Sequence, residues 1–112
     1  MEDNRTKSAT TISLHIGQSA SFSKTITETD VYNFAGIVGD FNSAHVNAIE
    51  ASKSIFGKRV AHGMLVGSLI STVLGNKLPG PGTIYMEQDC KFVAPVYFGD
   101  TITNTFPTDE TI

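Results

Sequence analysis

Hydrophobic and polar residues recur along this chain at two different periods, and the changes of period mark its elements. Ile12, Leu14 and Ile16 alternate with Thr11, Ser13 and His15, and after a break at Gly17-Gln18 a period of two resumes through Phe22 and Ile26. Alternation sends successive side chains to opposite faces, so two short strands or one bent strand are predicted. The period then lengthens. Val31, Phe34, Ala35 and Val38 recur at helical intervals behind Thr27-Glu28-Thr29-Asp30, which has the spacing of a capping box, and Gly39 supplies a stop. Asn47, with Glu50 three residues on, predicts a further turn of helix in a segment that closes at Gly57.

From Met64 to Leu74 the chain is apolar nearly all round and ends at Gly75, the pattern of a helix enclosed by other structure. Leu78-Pro79-Gly80-Pro81-Gly82 is a loop by any turn rule. Beyond it Ile84, Met86, Cys90 and Phe92 alternate with Tyr85, Glu87, Asp89 and Lys91, which predicts a strand with one apolar face and makes Cys90 a core thiol. Pro95 marks a bulge or an edge, Val96 and Phe98 continue the extended pattern, and Gly99-Asp100 turns the chain into a last strand over 101–106. Residues 107–112 are polar and patternless.

Strands and helices in this order give an α+β fold. At 112 residues and 40% hydrophobic content the chain suits one soluble domain, 11–112, behind a polar leader, 1–10, that lacks the apolar core of a secretory signal. Eight basic and eleven acidic residues, with no basic run, exclude a nucleic-acid footprint. The longest apolar run is far short of the roughly 20 residues that span a bilayer, so no membrane partner is expected. One cysteine allows neither an internal disulfide nor a Cys-based zinc site and suits a cytoplasmic location. The three histidines, His15, His45 and His62, show no paired ligand spacing, so no metal is expected.

Candidate chemistry gathers in Gly39-Asp40-Phe41-Asn42-Ser43-Ala44-His45 and Ala61-His62-Gly63-Met64. Asp40 and His45 lie five residues apart in a loop too polar to be core, a candidate acid/base pair. Gly63 stands where a loop gives way to the apolar run, so its N–H is a candidate oxyanion donor at a helix N-terminus. Ser71 puts a hydroxyl on a helix expected to be enclosed, where it needs a partner. Lys53, Lys58 and Arg59 form a basic group that is either a solvated surface cluster or a landing site for phosphates.

Asp40-Phe41-Asn42-x-x-His45, followed by Ala61-His62-Gly63-Met64-Leu65 and Ser71, resembles the hydratase motif of the MaoC-like (R)-specific enoyl-CoA hydratases. Gly80-Pro81-Gly82-Thr83-Ile84-Tyr85, Phe92-Val93-Ala94-Pro95-Val96 and Gly99-Asp100-Thr101 fit in the same order, so the resemblance runs from about Gly17 to Thr103. Ser43 stands where the family usually has proline. The resemblance implies a hot-dog fold, an antiparallel sheet wrapped around a central helix, here without its last C-terminal strands. It also implies a hydro-lyase that hydrates a trans-2-enoyl-CoA to an (R)-3-hydroxyacyl-CoA in fatty-acid metabolism. Asp40 and His45 would be catalytic and Gly63 would be the oxyanion donor. Asn42, His62 and Ser71 would support them, and Lys53, Lys58 and Arg59 would meet the CoA phosphates. Acyl-CoA is then substrate and no cofactor is required, and a homodimer or higher homo-oligomer is expected. The competing readings are a hot-dog acyl-CoA thioesterase and a non-catalytic, truncated acyl-CoA-binding fragment.

Overall fold

The computed structural model describes residues 17–107. The strand expected over 11–16, the leader 1–10 and the patternless residues 108–112 lie outside the described residues. The rest falls into two compact units: 17–22, Leu69–Gln88 and 103–107 form the first, and Ser23–Ser68 with Asp89–Ile102 the second.

Strands β1 (Ser19–Thr25) and β2 (Thr101–Pro107) are hydrogen-bonded neighbours in a two-stranded sheet. β1 alternates half-buried and exposed side chains, as its period of two predicts. In the second unit Ile26 closes the junction between the strands, because its N–H donates to the Asp100 carbonyl at 2.9 Å and its carbonyl accepts from Gly99 N–H at 2.7 Å. Asp100 N–H reaches back to the Tyr97 carbonyl, and Gly99 has φ 96°. A turn of this kind needs positive φ at its third residue, which glycine adopts without steric cost.

Helix α1 (Glu28–Val38) begins and ends where its sequence signals lie. Thr27 Oγ1 accepts from Asp30 N–H at 3.1 Å and Thr27 N–H donates to Asp30 Oδ2 at 3.0 Å, which completes the capping box. Gly39 ends the helix at φ 83°, with its N–H on the Ala35 carbonyl. Val31 and Ala35 are fully buried and, with Ile26, Ala51, Val60, Ala61 and Leu65, make the core of the second unit. Asn42 caps the short helix α2 (Ser43–Val46), and Asn47 caps α3 (Ala48–Ser52) by accepting from Glu50 N–H. Each cap side chain satisfies a backbone donor that a helix start leaves without a partner.

Two expectations need correction. The helix foreseen from Met64 to Leu74 is segmented into α4 (Gly63–Ser68) in the second unit, and α5 (Ile70–Thr72) followed by a π-helical turn (Val73–Lys77) in the first. Gly67 lies near the break, where glycine weakens a helix, and Gly75 is passed by a widened turn in which Leu78 N–H bonds the Val73 carbonyl. The run is also only partly enclosed, since Leu65 and Val73 are buried while Met64 is 62% exposed.

The strand foreseen through Ile84, Met86, Cys90 and Phe92, with its extension to Val96 and Phe98, is irregular chain apart from one isolated antiparallel bridge between Val60 and Tyr97. A strand persists only where its backbone groups have a ladder to join, and β1 and β2 are the only described strands, paired with each other. Without a sheet beneath it the alternating face is not buried: Ile84 and Met86 are exposed, and Cys90 is an exposed thiol rather than a core one.

The capping box yields two expectations. Thr27→Ala should lower the unfolding free energy by about 1 kcal/mol, read from the urea midpoint at unchanged m-value. Asp30 is held below its ordinary carboxylate value, chiefly by its ion pair with Lys24 at 2.8 Å, with burial opposing and the Thr27 donors adding to the shift. A depressed native value means that this contribution is complete above about pH 4 and is lost as pH falls through the lowered value. Asp30→Asn should therefore flatten the acid limb of a stability–pH curve and leave its slope near neutrality unchanged.

Candidate functional site

The motif residues of the second unit converge because α1 and α2 are separated by only four residues. Gly39 releases the chain from α1, and Asp40 Oδ1 then accepts from Asn42 N–H at 3.1 Å, an Asx-type turn that bends the chain at once. Asn42 uses its own side chain to accept from Ala44 N–H at 2.9 Å, starting α2. One turn of α2 carries His45 back toward the loop.

Both imidazoles of the site are fixed by carbonyl oxygens, and this settles their tautomers. His45 Nδ1 is 2.8 Å from the Val60 carbonyl. A carbonyl can only accept, so Nδ1 carries a proton, and in the neutral ring Nε2 presents a lone pair. By the same logic His62 Nε2, 3.0 Å from the Asp40 carbonyl, carries a proton, and its buried Nδ1 has no hydrogen-bond partner among the described residues. The two rings stack with centroids 3.8 Å apart and planes 23° from parallel, and Phe34 meets His62 edge-on at 5.0 Å. His62 is only 3% exposed, so this stack is anchored in the core.

One donor atom each from Asp40, His45 and His62 lies within 4.8 Å of the others. A single water making two ordinary hydrogen bonds can bridge polar atoms up to about 5.5 Å apart, so Asp40 and His45 are within reach of a shared water. A metal fits the trio less well. Zinc needs nitrogen lone pairs aimed at one point about 2.0 Å from each donor, whereas nearly parallel stacked rings direct their in-plane lone pairs side by side.

Gly63 opens α4, and its N–H makes no hydrogen bond among the described residues, as the first donors of a helix do. It lines two adjoining clefts, of about 650 Å³ and about 320 Å³. Asn42 lines the first, Asp40 and His62 the second, and His45 both. The five motif residues Asp40, Asn42, His45, His62 and Gly63 thus share one site.

None of the remaining candidates is a lining residue of either cleft. Ser71 is exposed on α5 in the first unit, where water can satisfy its hydroxyl. Arg59 is engaged within the second unit: its guanidinium donates to Glu28 Oε2 at 2.7 Å and to the Tyr32 hydroxyl, and lies 4.8 Å from the Phe98 ring centroid. The Glu28 hydrogen bond is the main reason its proton is held more tightly than usual. Lys58 sits 4.6 Å over the Tyr97 ring, and Lys53 pairs with Glu50 at 3.7 Å on the surface. The sequence reading missed Phe34, which braces His62, and placed Phe92 in a strand although its ring lies against Gly63. Helical periodicity marked Phe34 as core, but nothing in the sequence paired it with a histidine.

A model of the MaoC like domain matches residues 11–110. The chain belongs to the MaoC-like family. It is 57% identical over 89 residues to an (R)-specific enoyl-CoA hydratase of Rhodospirillum rubrum, covering 80% of this chain and 62% of that protein. It is 44% identical to a 3-hydroxybutyryl-CoA dehydratase of Methylorubrum extorquens, covering 80% and 57%. The chain thus spans about three fifths of these curated relatives. Among solved structures it resembles the (R)-hydratase from Aeromonas caviae involved in PHA biosynthesis, with TM-score 0.84 and 39% identity over 87% of this chain and 74% of that one. The fold is the hot-dog fold of those hydratases, with two strands among the described residues. Among the described residues no helix of this MaoC-like chain is long and apolar enough to cross a membrane.

Ser43, where proline is usual in the family, is the first residue of α2, a position at which proline is pre-organised and its missing N–H costs nothing. Asn42 before it has φ −55° and ψ 139°, the conformation a following proline demands. Ser43→Pro should therefore stabilise the chain by about 0.4–1 kcal/mol, seen as a rise of a few degrees in Tm.

Proposed function

We propose that this chain hydrates the double bond of a trans-2-enoyl-CoA to give an (R)-3-hydroxyacyl-CoA. The observation that carries the reading is that Asp40, His45 and Gly63 line adjoining walls of one site, with one ligand atom each of Asp40 and His45 within 4.8 Å of the other. The names of the similar hydratases support the same chemistry.

In this mechanism a water sits between Asp40 and His45 and loses a proton to one of them as its oxygen bonds to C3 of the enoyl thioester. The electrons of the double bond move toward the thioester carbonyl, whose oxygen takes a hydrogen bond from Gly63 N–H. C2 then receives a proton from the same pair, so atoms and charge balance with no cofactor. Val60 fixes His45 in the tautomer that can accept from water, and His62 holds the Asp40 backbone and the face of the His45 ring. Asn42 keeps the loop turned. Of the three basic residues, Lys53 and Lys58 are the better placed for CoA phosphates, since their own partners are a surface carboxylate and a ring face, whereas Arg59 is engaged by Glu28 and Tyr32. The working form is a homodimer or higher homo-oligomer in the cytoplasm and serves fatty-acid metabolism.

Asp40→Asn and His45→Ala should each lower turnover of crotonyl-CoA by about two orders of magnitude or more, measured as loss of enoyl-thioester absorbance. Near-normal turnover in either folded variant would remove that residue from the mechanism. Release of free thiol from a saturated acyl-CoA would favour thioester hydrolysis instead. Size-exclusion elution of the same samples tests the oligomer.

A further inference from the structure

Phe92 stands where the two clefts of the site meet. The clefts share only three lining residues, His45, Gly63 and Phe92. His45 is tied to Val60 and stacked on His62, and Gly63 has no side chain, so Phe92 is the one bulky group on the divide that nothing comparable holds in place. Its ring lies directly on the glycine: a Cβ added at Gly63 would stand 3.0, 3.1 and 3.2 Å from three of its atoms. The residue is also 53% exposed and belongs to irregular chain rather than to a sheet ladder, so its ring can turn without breaking a ladder.

The two clefts differ in character. The smaller, of about 320 Å³, brings Asp40 and His62 together with Phe34, Val38 and Met64, and is where the reacting carbons must lie. The larger, of about 650 Å³, is walled by Phe56, Val60, Ala61, Val66, Val93 and Val96 and has little polar lining beyond Asn42 and His45. An apolar space of that size suits further carbons of an acyl chain, since each buried methylene contributes about 0.8 kcal/mol. The Phe92 ring against Gly63 thus stands at the boundary that a chain starting beside Asp40 would have to cross to reach the larger cleft.

We propose that Phe92 is a specificity-determining residue, a partition that restricts the site to short acyl chains by separating the reaction cleft from the larger apolar one. The proposal rests on the reading that the site takes acyl-CoA thioesters, so its test uses saturated ligands that cannot be hydrated. Affinities of butyryl-CoA and octanoyl-CoA would be measured by titration calorimetry for the wild-type chain, Phe92→Ala and Phe92→Leu, with thermal melts recorded for each. The ratio of octanoyl to butyryl affinity should rise about tenfold or more in Phe92→Ala, as expected when several methylenes gain an apolar surface, and by less but in the same direction in Phe92→Leu. A ratio within about twofold of wild type in every folded variant, or a fall in it, overturns the partition while leaving the hydratase reading standing. If Phe92→Ala does not fold, the leucine variant decides. Failure of the wild-type chain to bind either ligand overturns both readings together.

Discussion

The backbone of Val60 is the constraint on which the site depends. Its N–H donates to the Ala44 carbonyl at 3.0 Å and its carbonyl accepts from His45 Nδ1 at 2.8 Å, so the two backbone groups of one residue hold α2 at two points. The next residue, Ala61, donates to the Val96 carbonyl at 2.8 Å, and Val60 itself bridges Tyr97. Both residues are buried, where a broken backbone hydrogen bond leaves a costly unpaired group. The segment is thereby tied on both sides by backbone hydrogen bonds, and His45 is positioned by the carbonyl it meets.

From this anchor the rest of the site follows in sequence. His62 comes two residues after Val60, buried and donating to the Asp40 carbonyl. The stack between His45 and His62 then joins a residue placed by α2 to one placed just ahead of α4. Each ring spends one nitrogen on a backbone carbonyl, so each neutral ring has one defined tautomer. That economy separates the two roles: the half-buried His45 can offer its lone pair to the cleft, whereas the buried His62 serves as a brace.

What the sequence made legible was local. The capping box at Thr27, the glycine stops at Gly39 and Gly99 and the Asn47 cap each depend on a few neighbouring residues, and each forms where its signal lies. The motif was legible for the same reason, since Asp40, Asn42 and His45 are placed by two short turns. Failures came where structure depends on distant partners. The alternation from Ile84 to Phe92 carries a strand signal, but a ladder needs a neighbouring strand, and none is described beside it. Cys90 was misplaced with it, because a period of two says which residues share a face and not whether that face is covered. The Val60 anchor was invisible because backbone carbonyls leave no mark in a sequence.

The same distinction explains why chemistry and specificity differ in how they can be read. The motif residues lie in two short segments whose geometry is set by turns, caps and the buried backbone of Val60, and a motif of fixed spacing captures them. The apolar walls of the clefts come from Phe34 and Val38 on α1, from Phe56 and from the chain around Phe92, which are far apart in the sequence. A residue such as Phe92 carries no chemical signature, and its importance arises because it faces a glycine whose missing side chain leaves room for a ring. A substitution at such a wall residue would leave the hydrogen bonds that hold Asp40, His45 and His62 in place, because none of those bonds involves the wall.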